Sequence, residues 1–135
     1  MIDTSPPYIV ILAGGEGNRL APLTRALYGT DLPKQFAVLS GQHSLMQTTI
    51  ERALALTTAD RISVIVSAHH AAIARTQISP YPGVELVVQP KTLDTAPGIL
   101  LPLVRILVRS FSARVVFLPS DHYVPNPEPL HAALR

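Results

Sequence analysis

The chain has no cysteine and no tryptophan among its 135 residues, and aromatic residues make up only 5%. The absence of cysteine excludes disulfide bonds and thiolate metal sites. Charged residues reach only 15%, the formal net charge is +2, and the basic residues are scattered, so nothing indicates a nucleic-acid partner. No apolar run approaches the roughly 18–20 residues of a membrane span. Residues 1–7 have neither a basic region nor an apolar signal core, so we expect a cytoplasmic protein without membrane association.

Apolar residues, in contrast, are plentiful. They make up 47% of the chain, which is too many for a disordered protein. A length of 135 residues predicts one domain, residues 1–135, with a single core. The 13 prolines mark the loops between the apolar segments.

These segments alternate between two kinds of hydrophobic pattern. Short apolar runs predict four strands, at residues 8–13, 62–66, 84–88 and 114–118. Helical spacing predicts helices at residues 45–56, 69–78 and 96–109, and Pro102 must sit near the first turn of the last helix or kink it. The alternation predicts an α/β fold with a Rossmann-like parallel sheet and helices on both faces. In such sheets, ligands bind at the carboxyl ends of the strands.

The loop after the first predicted strand is rich in glycine and is followed by two cations. Its sequence, Gly14-Gly15-Glu16-Gly17-Asn18-Arg19, precedes Lys34 in Pro33-Lys34-Gln35-Phe36. Glycines let backbone N–H groups approach phosphate oxygens, and cations neutralise phosphate charge. A dinucleotide fingerprint would need a further glycine at position 19 or 20, and a Walker A loop would need Gly-Lys-Ser/Thr. Neither is present, so the loop predicts a different kind of phosphate site.

The pattern Gly-Gly-x-Gly-x-Arg-Leu-x-Pro-Leu-Thr at residues 14–24, with Lys-Gln-Phe at 34–36, resembles the signature of the sugar-phosphate nucleotidyltransferases. It is most similar to the mannose-1-phosphate guanylyltransferase branch. The resemblance covers roughly residues 8–127 and matches only the N-terminal, nucleotide-binding half of such enzymes. It implies the nucleotide-diphospho-sugar transferase type of fold, truncated. The implied reaction transfers a nucleotidyl group from a nucleoside triphosphate to a sugar 1-phosphate, with GTP and mannose 1-phosphate as the favoured substrates.

The same resemblance implies roles for particular residues. Arg19 and Lys34 match the two catalytic cations, and Asp121 in Pro119-Ser120-Asp121-His122 matches the aspartate that binds Mg²⁺, with His122 as a supporting neighbour. The implied nucleotide-binding residues are Leu12, Ala13, Gly14, Gly15, Gly17, Asn18, Arg19, Gln89, Thr95 and Ala96. The pair His69-His70 receives no role, because adjacent side chains on a helix point apart.

The segment after the third predicted strand does not determine which nucleotide base is bound. Gln89-Pro90 and Asp94-Thr95-Ala96-Pro97 are similar to the Glu-Pro and Arg-Asn-Thr-Ala-Pro of the guanylyltransferases. A carboxylate can accept both N1–H and N2–H of guanine, whereas an amide offers one acceptor and two donors. Relatives that carry Gln-Pro use thymidine or uridine triphosphates. GTP is favoured by the other motifs, with dTTP and UTP as alternatives.

The later segments of the family, which bind the sugar and supply a second aspartate, have no counterpart here. We therefore expect either an enzyme or enzyme fragment, or a non-catalytic nucleotide-binding or regulatory subunit completed by another chain. The fourth predicted strand would leave an open sheet edge, which favours a homo-oligomer or a partner chain that covers it.

Overall fold

Four parallel strands lie at the centre of the computed structural model, which describes residues 4–91 and 95–135. The strands are β1 (Tyr8–Leu12), β2 (Ile62–Ser67), β3 (Glu85–Gln89) and β4 (Val115–Pro119), in the spatial order β3-β2-β1-β4. In the register of the central strand, Ile9 lies opposite Ile62 of β2 and Val116 of β4. Because β1 has a strand on each side and helices on both faces, its residues 9–11 are fully buried.

Five α-helices connect and cover these strands. They are α1 (Ala21–Tyr28), α2 (Leu45–Leu54), α3 (Ala71–Ile78), α4 (Thr95–Arg109) and α5 (Glu128–Leu134). Short 3₁₀ turns at residues 18–20, 34–36, 59–61 and 68–70 join them to the strands and loops. The start of α2 is fixed by a capping box, in which the Ser44 side chain accepts from the Gln47 backbone and the Gln47 side chain accepts from Ser44.

The two faces of the sheet carry separate cores. On one face, Ile9 and Ile11 of β1 pack with α2 and α3, and Leu134 of α5 lies against the same cluster. On the other face, Val10 packs with Ile106 of α4. The alternation of β1 side chains between two covered faces explains why its sequence is continuously apolar. All the strands end at one edge of the sheet, so the loops that follow them lie together.

The predicted α/β class and parallel sheet are confirmed. Most of the strand ends differ from the predicted ends by a single residue. Helix α1 was not predicted, because the glycines and Pro22 indicated a loop; in the structure Pro22 lies in the first turn of α1, where no N–H is required. Of the two predicted alternatives for Pro102, the first turn of α4 or a kink, the structure excludes the first. Pro102 lies within the helix, as the eighth of its fifteen residues, and is buried.

Two surfaces are less well covered than the core. Strand β4 is at the edge of the sheet formed by the described residues. The outer side of α4 exposes a row of apolar side chains: Leu100, Val104, Leu107 and Val108, with Phe111 just beyond the helix. Within the described residues, no helix is both long enough and apolar enough to cross a membrane.

Candidate active site

The glycine-rich loop leaves β1 at the carboxyl edge of the sheet and turns on Gly17. Gly17 has φ +64°, a left-handed conformation that favours glycine, and the 3₁₀ turn Asn18–Leu20 then leads into α1. The backbone N–H groups of residues 14–19 make no hydrogen bond to any residue that the structure describes. Six consecutive free donors beside a buried strand are typical of an anion site.

A buried glutamine holds the carbonyl side of this loop. Gln35 is 3% exposed, and its Nε2 donates to the carbonyl oxygens of Ala13 at 3.1 Å and Gly15 at 2.7 Å. The loop also presses against the segment that carries Gln35, since a Cβ at Gly17 would lie 2.9 Å from the backbone nitrogen of Lys34. The glycine loop, which carries Arg19, and the segment that carries Lys34 and Gln35 therefore form one packed unit. No role of Gln35 was predicted from the sequence, which does not show that its partners are backbone atoms.

The side chain of Lys34, a predicted catalytic cation, contacts the side chain of Asp121, the predicted metal ligand. Lys34 Nζ lies 2.6 Å from Asp121 Oδ2, and the two side chains are 30% and 25% exposed. Asp121 is placed there by β4, whose continuation is tied to β1 by Ser120 N–H donating to the Leu12 carbonyl at 3.2 Å. His122 Nε2 is 3.8 Å from Asp121 Oδ1, a neighbour beyond hydrogen-bond distance.

The loop that carries Asp121 is also held from below by a buried arginine. Arg52 of α2 is 8% exposed and donates from Nη1 to the His122 carbonyl at 3.2 Å and from Nη2 to Thr49 Oγ1 at 2.9 Å. Burial lowers the pKa of Arg52 below its usual value. This residue was missed in the sequence, where it is indistinguishable from any charged residue on an amphipathic helix.

The predicted nucleotide-binding residues at the end of β1 have different surroundings. Ala13 is buried, and its N–H donates to the Ile65 carbonyl at 2.8 Å, so this group is not free for a ligand. Asn18 donates to Glu16 Oε2 at 3.2 Å. Arg19 is exposed and forms no ion pair or hydrogen bond within the described part of the chain, so its guanidinium is not joined to the Lys34–Asp121 pair.

Gln89, at the end of β3, lies between two glycines. It is 7% exposed; a Cβ at Gly14 would lie 3.3 Å from its Oε1, and a Cβ at Gly98 only 2.7 Å from its Nε2. Its side-chain amide makes no hydrogen bond with any described residue. The amide therefore lies against the glycine loop with free hydrogen-bonding groups. Gly98 was not recognised in the sequence as part of this site.

The remaining predicted positions in this segment are only partly placed. Thr95 opens α4 and Ala96 is exposed in its first turn. The predicted Asp94 lies outside the described residues.

No role was predicted for the neighbouring residues His69 and His70. His70 Nδ1 lies 3.0 Å from Ser67 Oγ, and the His70 ring packs against Phe36. Burial lowers the pKa of His70, with His69 adding to the effect and Glu16 opposing it.

A family model matches most of the chain. The model of the nucleotidyl transferase family, described as "Nucleotidyl transferase", matches residues 8–135. The chain belongs to this nucleotidyl transferase family. The match spans the glycine loop, the Lys34 segment and Asp121 together.

Two curated relatives and one solved structure are similar to this chain over most of its length. The chain is 35% identical over 121 residues to a mannose-1-phosphate guanylyltransferase of Salmonella montevideo, covering 88% of this chain and 24% of the relative. It is 37% identical over 128 residues to a putative mannose-1-phosphate guanylyltransferase of Vibrio cholerae, covering 93% and 26%. A crystal structure of a mannose-1-phosphate geranyltransferase from Thermus thermophilus has a TM-score of 0.78 at 33% identity, covering 96% of this chain and 36% of that one. This nucleotidyl transferase chain therefore spans about a quarter of the length of these curated relatives.

The carboxylate of Asp121 has the chemistry of a magnesium ligand in a site shared with phosphates. Within residues 4–91 and 95–135, no group of three or more His, Asp or Glu side chains could hold a metal by itself. Mg²⁺, however, is commonly bound by one or two carboxylates plus substrate phosphates and water. The Lys34 ammonium at 2.6 Å shows that the Asp121 carboxylate already accepts a cation here. Asp121 therefore offers one carboxylate that could hold such an ion together with phosphates and water.

Proposed function

We propose that this chain binds the nucleoside triphosphate in a nucleotidyl transfer to a sugar 1-phosphate, with GTP and mannose 1-phosphate as the favoured substrates. The observation that carries the proposal is the row of free N–H groups at residues 14–19, packed against the backbone of Lys34, whose side chain reaches Asp121. Donors, a cation and a carboxylate are the groups that triphosphate chemistry requires. The names of the relatives support the choice of guanine and mannose.

In this reaction, an oxygen of the sugar phosphate attacks the α-phosphorus in line, the bond from the α-phosphorus to its bridging oxygen breaks, and pyrophosphate leaves. The protein acts by positioning and charge neutralisation. We assign the loop N–H groups and the exposed guanidinium of Arg19 to the leaving phosphates. Lys34 serves as the cation beside the α-phosphate, and Asp121 would hold Mg²⁺. When bound, that ion neutralises phosphate charge.

The first test is a series of thermal melts of the chain with Mg²⁺ and each nucleoside triphosphate. A ligand at 100 times its dissociation constant adds about 2.7 kcal/mol of stability, or roughly 10 °C in Tm for a chain of this size. We expect the largest increase with GTP, and a larger increase with dTTP or UTP would change the assigned base. Arg19→Ala should reduce the increase, whereas Arg75→Ala, an exposed arginine of α3, should not. An equal response of both variants would contradict the role of Arg19.

A measurement of pyrophosphate release distinguishes the two forms of this proposal, an enzyme and a non-catalytic nucleotide-binding subunit. With GTP, Mg²⁺ and mannose 1-phosphate, an enzyme releases pyrophosphate. A non-catalytic nucleotide-binding or regulatory subunit would show the Tm increase without release. The chain covers 24% and 26% of the curated relatives, so the activity of the whole relatives is for this chain a proposal that the assay tests. A second copy or partner chain at the β4 edge is part of the same proposal.

We also predict that Gly98→Ala changes base binding without loss of stability. Alanine is a better helix former than glycine by about 0.8–1 kcal/mol, but its Cβ would lie 2.7 Å from Gln89 Nε2 and displace that amide. We expect an unchanged or higher Tm and about a tenfold weaker affinity for GTP, which corresponds to one lost hydrogen bond to a buried group. Calorimetry on Gly98→Ala, Gln89→Ala and the double variant checks this. Additive losses in the double variant would show that Gly98 does not act through Gln89.

A further inference from the structure

Gln35 donates both protons of its side-chain amide to carbonyls of the glycine loop, which the proposed function assigns to phosphate binding. Its Nε2 donates to the carbonyls of Ala13 and Gly15, at 3.1 and 2.7 Å, from a side chain that is 3% exposed. Because these carbonyls are fixed toward the protein interior, they are kept away from an incoming anion, which they would repel. The next N–H groups along the loop remain unpaired within the described residues.

The support beneath Gln35 is itself rigid. Its turn, Lys34–Phe36, is held from the other side by Gln77 of α3, whose Nε2 donates to the Phe36 carbonyl at 2.9 Å. Phe36 is 1% exposed, so the turn is anchored in the core. The amide of Gln35 therefore reaches the loop from a fixed base, as positioning requires.

We propose that Gln35 is a positioning residue that shapes the phosphate cradle: it holds the glycine loop with its carbonyls inward and its N–H groups free for a di- or triphosphate. This inference rests on the proposed binding of a triphosphate. Gln35 does not touch the ligand in this proposal. It acts only through the loop backbone, so its loss should weaken phosphate binding and leave contacts with the nucleoside unchanged.

The test compares Gln35→Met with Gln47→Met. Methionine keeps the length of the side chain and removes the amide. Each variant loses two hydrogen bonds between a glutamine side chain and the backbone, since Gln47 accepts from Ser44 N–H at 3.0 Å and donates to the Gln77 carbonyl at 3.0 Å. We expect similar decreases in Tm. The affinity for inorganic pyrophosphate with Mg²⁺ should fall at least tenfold in Gln35→Met and less than twofold in Gln47→Met, and affinity for guanosine should stay within twofold in both.

Each outcome decides the matter. If folded Gln35→Met binds pyrophosphate as well as the unchanged chain does, the positioning role is wrong and the proposed function stands. If the unchanged chain binds neither pyrophosphate nor GTP, both are wrong. If Gln35→Met does not fold, NMR of the unchanged chain replaces it: we expect slow exchange of the Gln35 side-chain protons and shifts of the Gly15 and Gly17 amides with pyrophosphate. Fast exchange at Gln35, or unmoved glycine amides, overturns the inference.

Discussion

Replacing Lys34 by methionine should weaken the affinity of the chain for Mg²⁺-GTP by about 10- to 100-fold, the value of one charge-assisted hydrogen bond to phosphate. The same change should strengthen binding of Mg²⁺ alone, because Asp121 loses the ammonium that now lies 2.6 Å from its carboxylate. Stability should change by only about 1 kcal/mol, since the pair is partly exposed. Calorimetric titrations with Mg²⁺ and with Mg²⁺-GTP measure both effects.

The matched control is Lys91→Met, because Lys91 is the only other lysine of the chain and is exposed just after β3. It should leave both affinities within about twofold. Asp121→Asn tests the pair from the other side: it should free Lys34, strengthen binding of pyrophosphate without Mg²⁺ and abolish the benefit of adding Mg²⁺. If Lys34→Met and Asp121→Asn both leave the Mg²⁺ dependence intact, this ion pair is not the centre of the site.

Gly17→Ala should be the most destabilising small substitution in the loop, at about 2–4 kcal/mol. Two costs combine. The residue has φ +64°, where an L-residue is strained, and its new Cβ would lie 2.9 Å from the backbone nitrogen of Lys34 and 3.1 Å from Cα of Pro33. Backbone atoms cannot move aside as a flexible side chain can. Against a total stability of about 5–15 kcal/mol, the loss should be obvious in urea unfolding.

Gly29→Ala provides the control, because Gly29 has φ +72° at the end of α1 but no atom within 4 Å of an added Cβ. It carries the conformational cost alone, about 1–2 kcal/mol. The difference between the two variants therefore measures how tightly the glycine loop is packed on residues 33–34. Equal losses would mean that this packing is loose and that the two motifs are not one unit.

The sequence predicted those parts of the site that depend on local patterns. The apolar runs placed four strands, and the rule for parallel sheets placed Asp121 at the same edge as the glycine loop, as the structure has it. The family resemblance assigned roles to Lys34 and Asp121 separately, and only the structure shows that their side chains form an ion pair.

What the sequence did not reveal depends on contacts between distant backbone and side-chain atoms. Gln35 binds carbonyls that are 22 and 20 positions away, and no pattern of residue types records where a carbonyl points. Gly98 matters because α4 crosses Gln89 at that point, which follows from tertiary packing. Arg52 has the spacing of an ordinary polar helix position, and its burial was decided by the loop above it.

The position of β1 at the centre of the sheet has a consequence during synthesis. Strand β1 is made before β2 and β4, the two strands that pair with it, and the partner carboxylate of Lys34 is 87 positions farther along the chain (121 minus 34). At about 5–20 residues per second, the ribosome adds Asp121 roughly 4–17 seconds after Lys34. Until Asp121 has been added, the ion pair between it and Lys34 cannot form. Pairing of β4 with β1, which brings Asp121 to Lys34, is therefore a late event in the folding of the chain.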